Sequence, residues 1–287
     1  MKQLAGLKKI ISGYGSCLVA FSGGVDSTFL LKVASLVLPR GEILAVTADS
    51  STYPGEELLF SKNIAKRLGV RHKIIKTSEL KDKRFISNPI NRCYYCKKEL
   101  FKKLKKIAGA YKLNYVLDAS NLTDEFDFRP GDIAKKELKI RSPLVEARLA
   151  KEDIRRLSKK LGLVTWDKPS LACLASRIPY GTQISRKLLN RVNRCENYLK
   201  RIGFRQVRLR HYNELCRIEV LSKDIPLLIN KRQQVVNRLK KFGYDCVTVD
   251  LEGYRTGSMN PAPPKKLTSE LKRRCGMNLG KYARKNR

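Results

Sequence analysis

The chain has 287 residues, 42% hydrophobic and 30% charged, which suits a globular protein large enough for two domains and excludes stapled miniproteins, collagens and disordered tails. No apolar run approaches the roughly 20 residues of a bilayer span, and MKQLAGLKKIISGYG lacks the long apolar stretch of a secretion signal, so the expectation is a cytoplasmic protein with no membrane partner. Lys plus Arg number 61 against 26 Asp plus Glu, a net charge of +35, which implies an anionic partner without choosing between nucleic acid and small phosphorylated molecules.

Residues 3–14 read as a helix. Cys17 to Phe21 is an unbroken apolar run bounded by Gly15 and by Ser22-Gly23-Gly24, as expected of a parallel strand buried on both faces. From Ser27 the apolar residues Phe29, Leu30, Val33, Leu36 and Val37 recur three and four apart, which predicts a helix ending near Pro39. Similar units follow: a strand from Ile43 to Ala48 with a helix over about 55–68, and a strand from Lys73 to Lys76 with a helix over about 95–107. Tyr115 to Asp118 adds a strand. This alternation predicts an α/β open parallel sheet with ligands at the strands' carboxyl ends, where Ser22, Asp49 and Asp118 to Asn121 fall.

After Trp166 the pattern changes. Residues 167–181 read as a loop, followed by a helix capped by Ser185 and reaching about Arg201. Period-two alternation marks strands from Phe204 to Arg210, Leu215 to Leu221 and Tyr244 to Leu251, with a helix over about 223–241 between the last two. The expected organisation is a parallel-sheet domain over 1–166, a smaller C-terminal α+β domain over 167–260, and a mobile tail over 261–287 with nine basic residues and one acidic.

Ser22-Gly-Gly-Val-Asp-Ser27 carries the strongest chemical signal. Adjacent glycines let the backbone turn tightly and present successive N–H groups to an anion, and the following helix adds its positive end. Ser22 and Ser27 can donate to phosphate oxygens. Asp26 beside an anion makes sense if Mg2+ bridges its carboxylate to the phosphates. The six residues match in full the SGGxDS signature of the PP-loop ATP pyrophosphatases, which they resemble. The resemblance implies an adenine nucleotide alpha hydrolase-like sheet and cleavage of ATP between its α and β phosphates. Pyrophosphate is then held by Ser22, Gly23, Gly24 and Ser27, the adenine lies near Ala48, Asp49 and Ser50, and AMP activates a carboxylate or carbonyl oxygen. GMP synthetase, NAD synthetase, argininosuccinate synthase and tRNA thiolases share this turn.

Two cysteine segments choose among them. Asn91-Arg-Cys93-Tyr-Tyr-Cys96 and Pro169-Ser-Leu-Ala-Cys173-Leu-Ala-Ser-Arg177 closely resemble the ATP-dependent sulfur transferases of the LarE family, which act in making the nickel-pincer cofactor of lactate racemase. Asp118-Ala-Ser-Asn121 with Asp127 to Gly131, Trp166-Asp-Lys-Pro169 and Asp250 to Arg255 share the likeness, which spans about residues 15–260. It implies adenylation of a carboxylate of pyridinium-3,5-biscarboxylic acid mononucleotide and its conversion to a thiocarboxylate, with a homo-oligomeric assembly, a hexamer. In the family's sacrificial mode a cysteine matching Cys173 attacks the acyl adenylate and loses its sulfur; Arg177, four residues on, is expected to favour the thiolate. Other family members hold a [4Fe-4S] cluster on three cysteines, for which Cys93, Cys96 and Cys173 stand in the matching places. A redox dithiol and inert buried thiols remain open readings; zinc lacks a fourth ligand, since His72 and His211 are distant in sequence.

A substrate with one phosphate and two carboxylates needs cations. Arg208 and Arg210 lie on one face of an alternating strand and can converge on one phosphate. Asn121, with Asp124 or Glu125 nearby, is expected in the substrate pocket. Glu196, Glu219 and Asp250 match acidic positions the family uses in its second domain. Rival readings are a tRNA-thiolating enzyme, favoured by the net charge and the basic tail, and a non-catalytic iron–sulfur carrier.

Overall fold

The computed structural model describes residues 2–126, 129–170, 172–255, 258 and 259. Asp127, Phe128, Cys275 and the tail over 261–287 lie outside them. The chain divides into two compact units. The first comprises the chain through Ala175 together with Tyr180–Leu189; the second comprises Ser176–Pro179 and the chain from Asn190 onward.

In the first unit, α1 (Lys2–Tyr14) precedes β1 (Cys17–Ala20), α2 (Val25–Val37), β2 (Ile43–Asp49), α3 (Gly55–Arg67) and β3 (Arg71–Lys76). The short α4 (Lys83–Ile86), then α5 (Arg92–Ala110), β4 (Tyr115–Leu117), α6 (Gly131–Glu137), α7 (Pro143–Glu146) and α8 (Lys151–Lys160) follow. The four strands form a parallel sheet in the order β3-β2-β1-β4. Alternation along the central strands explains why they read as unbroken apolar runs. Cys17, Val19, Ile43 and Ala45 pack with residues of α1, α2 and α8, including Leu7, Phe29 and Ile154. Leu18, Leu44 and Val46 point the other way, to Phe101 and Leu104 of α5. Both faces are covered, so neither can carry polar residues. β3, at an edge, has no buried residue and carries Arg71, Lys73 and Lys76, which discourage further strand pairing. Because β2 and β4 flank β1 on opposite sides, the chain reverses direction across the sheet at β1, and residues 21–24 follow β1 at the carboxyl end of that switch point, where ligands of open α/β sheets bind.

The second unit holds α9 (Arg186–Arg201, whose opening residues count with the first unit), β5 (Val207–Tyr212), β6 (Leu215–Val220), α10 (Ile225–Asn230), α11 (Arg232–Lys241) and β7 (Cys246–Val249). β5 and β6 pair antiparallel, and β6 and β7 pair parallel. The single helix expected over 223–241 is two, joined at Lys231, while Pro226 sits in the first turn of α10 where a missing N–H costs nothing.

The division between the units falls later than residue 166. Leu174 N donates to Thr52 O at 2.8 Å, Gly181 N to Asn88 O at 2.9 Å and Ile184 N to Ile86 O at 2.9 Å, so most of the loop is fastened to the first unit. Ser176–Pro179 instead belongs to the second, where the fully buried Arg177 forks onto both carboxylate oxygens of Glu196 at 2.8 and 2.9 Å. Sequence periodicity has no access to such long-range ties.

Burial alone would raise the Glu196 carboxyl, but the Arg177 charge and its hydrogen bonds, with Arg208 and the Leu209 N–H, hold it below the usual carboxylate range. A depressed folded-state pKa contributes stability above the unfolded value and loses it as pH falls through the folded value. Glu196→Gln leaves the Arg177 cation buried without its counter-charge, and urea unfolding at pH 7 is expected to show a loss of about 3–5 kcal/mol. The same substitution should remove part of the wild-type decline in stability below about pH 4.5. An unchanged urea midpoint at pH 7 would show that the pair carries no such weight.

Candidate active site

β1 ends at Ala20 and α2 begins at Val25, and the intervening turn is shaped by two constraints at Gly23. Its φ is +70°, and a Cβ there would stand 3.1 Å from Ser61 Cβ and 3.3 Å from the Phe60 ring on α3. Only glycine meets both the left-handed backbone and the close approach. The hydroxyls of Ser22 and Ser27 lie 3.1 Å apart, and Ser22 N donates to Ser27 Oγ at 3.3 Å. Ser27 is buried in the first turn of a thirteen-residue helix, whose opening N–H groups have no intrahelical acceptor, and its hydroxyl also donates to Gly24 O at 3.3 Å. A turn of this kind can cradle a phosphate group.

Residues from the end of β4 meet the turn. Asp26 accepts hydrogen bonds from Lys151 Nζ and from Asn121 Nδ2, the latter at 3.4 Å. Asn121 N donates in turn to Asp124 Oδ2 at 3.0 Å. Burial raises the Asp124 carboxyl and the Asp26 charge adds to the rise, while Arg129 and Lys151 oppose it. The structure thus gathers Asp26, Asn121 and Asp124, and gives Asp26 a lysine partner that a magnesium ion would have to displace or share. Glu125 is exposed. Ala48, Asp49 and Ser50 lie at the end of β2, where Ser50 Oγ bonds Thr52 Oγ1 at 2.7 Å and Asp49 is exposed.

The three cysteines expected to act together come from two segments of the first unit. Cys93 and Cys96 sit in the first turns of α5, and Cys173 is held by the Leu174–Thr52 bond at the carboxyl end of β2. Desolvation of its sulfur raises the thiol pKa of Cys93 against the pull of Arg92, although the residue as a whole is exposed, and burial lifts that of Cys96 well above the ordinary value; Cys173 adds to both, so the three sulfur atoms lie within electrostatic reach of one another. Cys96 Sγ is 3.8 Å from Oε1 of the buried Glu79, which disfavours its thiolate further. Among the described residues no group of three or more His, Cys, Asp or Glu side chains has the arrangement of a metal site. His72 bonds Thr47 Oγ1 and His211 bonds the Tyr244 hydroxyl, so neither is presented to the thiols as a ligand.

Arg177, expected to favour a Cys173 thiolate, has Nε and Nη2 engaged by Glu196 and Nη1 bonded to Ser176 Oγ at 3.0 Å, so much of its charge is already compensated. Arg210 forks onto Glu219 at 2.9 and 2.7 Å and also donates to Ser176 O and Ser258 Oγ. Arg208 donates to Val207 O at 2.9 Å and lies over the Tyr254 ring. Both arginines are buried, and burial together with the charge of Arg177 lowers the pKa of Arg208. With Arg217 shared between Glu219 and Asp250, the second unit buries a network in which cations outnumber carboxylates.

No family model matches the chain. It is 38% identical to the pyridinium-3,5-bisthiocarboxylic acid mononucleotide synthase of Lactiplantibacillus plantarum over 242 residues, covering 84% of this chain and 88% of that protein. This chain belongs to the LarE family. An uncharacterized protein of Synechocystis is 41% identical over 90% of this chain and 97% of its own length. A stretch of 77 residues, 27% of this chain and 28% of the relative, is 31% identical to the NH(3)-dependent NAD(+) synthetase of Chlorobaculum tepidum and ties this LarE-like chain to the PP-loop superfamily. Membership in that superfamily implies an enzyme that uses ATP.

Two lysines at the LarE-like turn carry no motif signal that assigns them. Lys151 reaches Asp26 across 125 residues of sequence. Lys168, in the Trp166–Pro169 segment, places Nζ 2.7 Å from Glu57 Oε2 and 3.3 Å from Gly23 O, with the Phe60 ring beneath it. Its ammonium group is therefore held at the wall of the glycine turn by a carboxylate and a carbonyl. Spacing could not reveal this, because the lysine and the glycine are 145 residues apart. Lys168→Met is expected to weaken ATP binding by about 10- to 100-fold, the effect of one charge-assisted hydrogen bond to phosphate, measured by isothermal titration with a non-hydrolysable analogue. Wild-type affinity in that variant would remove Lys168 from the nucleotide site.

Proposed function

We propose that the protein is an ATP-dependent sulfur transferase that adenylates a carboxylate of pyridinium-3,5-biscarboxylic acid mononucleotide and converts it to a thiocarboxylate, releasing pyrophosphate and AMP. The observation that carries the reading is the joint presence, at the carboxyl edge of one sheet, of an SGGVDS phosphate turn and a cysteine loop tethered through Leu174 to Thr52. A carboxylate oxygen is a poor leaving group, and its transfer to the α-phosphate of ATP makes AMP the leaving group instead. The Cys173 thiolate then attacks the acyl carbon and expels AMP, forming a thioester. Loss of the Cys173 α-proton with cleavage of its Cβ–S bond releases the thiocarboxylate and leaves dehydroalanine. In this reading Ser22, Gly23, Gly24 and Ser27 hold the leaving pyrophosphate, Asp26 positions magnesium, and Asn121 faces the substrate.

The substrate's phosphate fits the second unit's chemistry. Arg208 has its positive charge disfavoured by burial and by Arg177, and a phosphate dianion beside Arg208 and Arg210 relieves that repulsion. A second source of sulfur is a spare sulfide on a [4Fe-4S] cluster bound by Cys93, Cys96 and Cys173, whose mutual electrostatic reach supports the reading; the raised pKa values of Cys93 and Cys96 oppose it until a bound cation favours their thiolates. Thiols so raised are protonated at neutral pH and inert until a cation meets them.

Anaerobically prepared protein, given ATP, magnesium and the dicarboxylate mononucleotide, is expected to form pyrophosphate and thiocarboxylate. Intact mass after turnover separates the sulfur sources: a loss of about 34 Da, the mass of one hydrogen sulfide, marks sacrifice of Cys173 among nucleophilic routes, whereas unchanged mass with bound iron and acid-labile sulfide marks the cluster. Cys173→Ala is expected to abolish thiocarboxylate formation while leaving adenylation intact, seen as acyl-dependent pyrophosphate exchange. Pyrophosphate release with no sulfur in the product from wild-type protein would refute the proposal.

A further inference from the structure

The second unit has a feature that sulfur transfer does not use. On α9 and just past the end of α11, Tyr198 and Phe242 meet edge to face with ring centroids 6.4 Å apart. The guanidinium of Arg238 lies 5.9 Å from the Tyr198 centroid and 4.9 Å from that of Phe242. Arg194 lies 4.6 Å from Phe242, and Arg201 lies 6.0 Å from Tyr198. Tyr198, Arg201, Ile202 and Arg238 line a surface pocket of about 370 Å³. All three arginines are exposed, and among the described residues none forms a salt bridge. The acidic residue of α9 is Glu196, buried against Arg177, and α11 has none. Three cations are gathered on two rings, and no carboxylate on these helices neutralises them.

We propose that this face binds single-stranded RNA. Three uncompensated positive charges on two adjoining rings, two of them lining the pocket, need several negative charges, not one, and they repel a second copy of the same face. The cations are guanidinium groups over aromatic rings, so each can turn an outer face to a nucleobase and its N–H edge to a phosphate. Aromatic and guanidinium planes set among positive charges are the pattern by which unpaired nucleic acid is held, through base stacking and backbone contact. Neither a bilayer headgroup layer nor an inorganic polyphosphate has a flat base to stack. The phosphate turn lies in the other unit, so this binding stands apart from the sulfur chemistry and does not depend on it.

The test uses the full chain and a fluorescein-labelled 12-nucleotide single-stranded RNA, followed by anisotropy across a salt series. Wild-type protein is expected to bind with a steep salt dependence. The triple variant R194A/R201A/R238A should bind at least about tenfold more weakly, with a log–log salt slope smaller by about 2, near the 0.7 expected per lost phosphate contact. R194K/R201K/R238K keeps the charge and loses the flat stacking face, so its slope should stay near wild type while affinity falls several-fold. Pyrophosphate formation should be unchanged in both. Either triple variant binding as tightly as wild type overturns the assignment, the lysine variant keeping the test alive should the alanine variant fail to fold. Equal affinity for polyphosphate of matched length, or binding to phosphatidylglycerol vesicles but not RNA, overturns it too.

Discussion

The burial of a parallel sheet on both faces governs where every reactive group in the first unit can stand. β1 and the first four residues of β2 alternate their side chains between two apolar layers, and no position among them can face a polar ligand without opening the core. Chemistry is displaced to the carboxyl edge, where the chain leaves the sheet. There it meets a second demand at Gly23, whose backbone approaches Ser61 so closely that no side chain fits. The closeness fixes the turn, and the turn leads into the start of α2, whose opening N–H groups have no intrahelical acceptor. Lys151, Lys168 and Asn121 converge on the turn because their own segments also end at that edge.

Thiol chemistry in this setting is governed by proton affinity. Burial, Glu79 and the neighbouring sulfur atoms all favour the protonated thiol of Cys96, and desolvation of its sulfur and Cys173 do the same for Cys93. The sequence suggested Arg177 as the compensating charge for Cys173, but its guanidinium is engaged by Glu196. The charge expected to favour a Cys173 thiolate is thus already neutralised within the protein.

The second unit handles its positive charge in two contrasting ways. Inside, Arg177 and Arg210 are forked onto Glu196 and Glu219, each pair buried and demanding its partner. Outside, Arg194, Arg201 and Arg238 rest on aromatic rings, which hold them in place without cancelling their charge. Only the second arrangement leaves an attractive field for a polyanion. Net charge alone could not separate the two, because a lysine or arginine counts the same whether its field is cancelled or open.

Local order was legible in the sequence wherever it depends on neighbours along the chain. The apolar run at Cys17, the glycine pair, the helical period after Ser27 and the alternation from Phe204 to Arg210 each express a constraint satisfied within a few residues, and the elements form where those patterns lie. The cysteine spacing in Cys93-Tyr-Tyr-Cys96 likewise announced a shared turn. Long-range pairing was not legible. That Lys168 touches Gly23 O, that Arg177 is claimed by Glu196, that the domain division falls beyond Ala175, and that three arginines share two rings are outcomes of folding. Each depends on distances across many residues, set by which strands pair and which loops are tied back. Sequence determined the chemistry available and the tight glycine turn between β1 and α2; tertiary structure decided which charges are cancelled, because a charge is neutralised by whatever lies beside it in space.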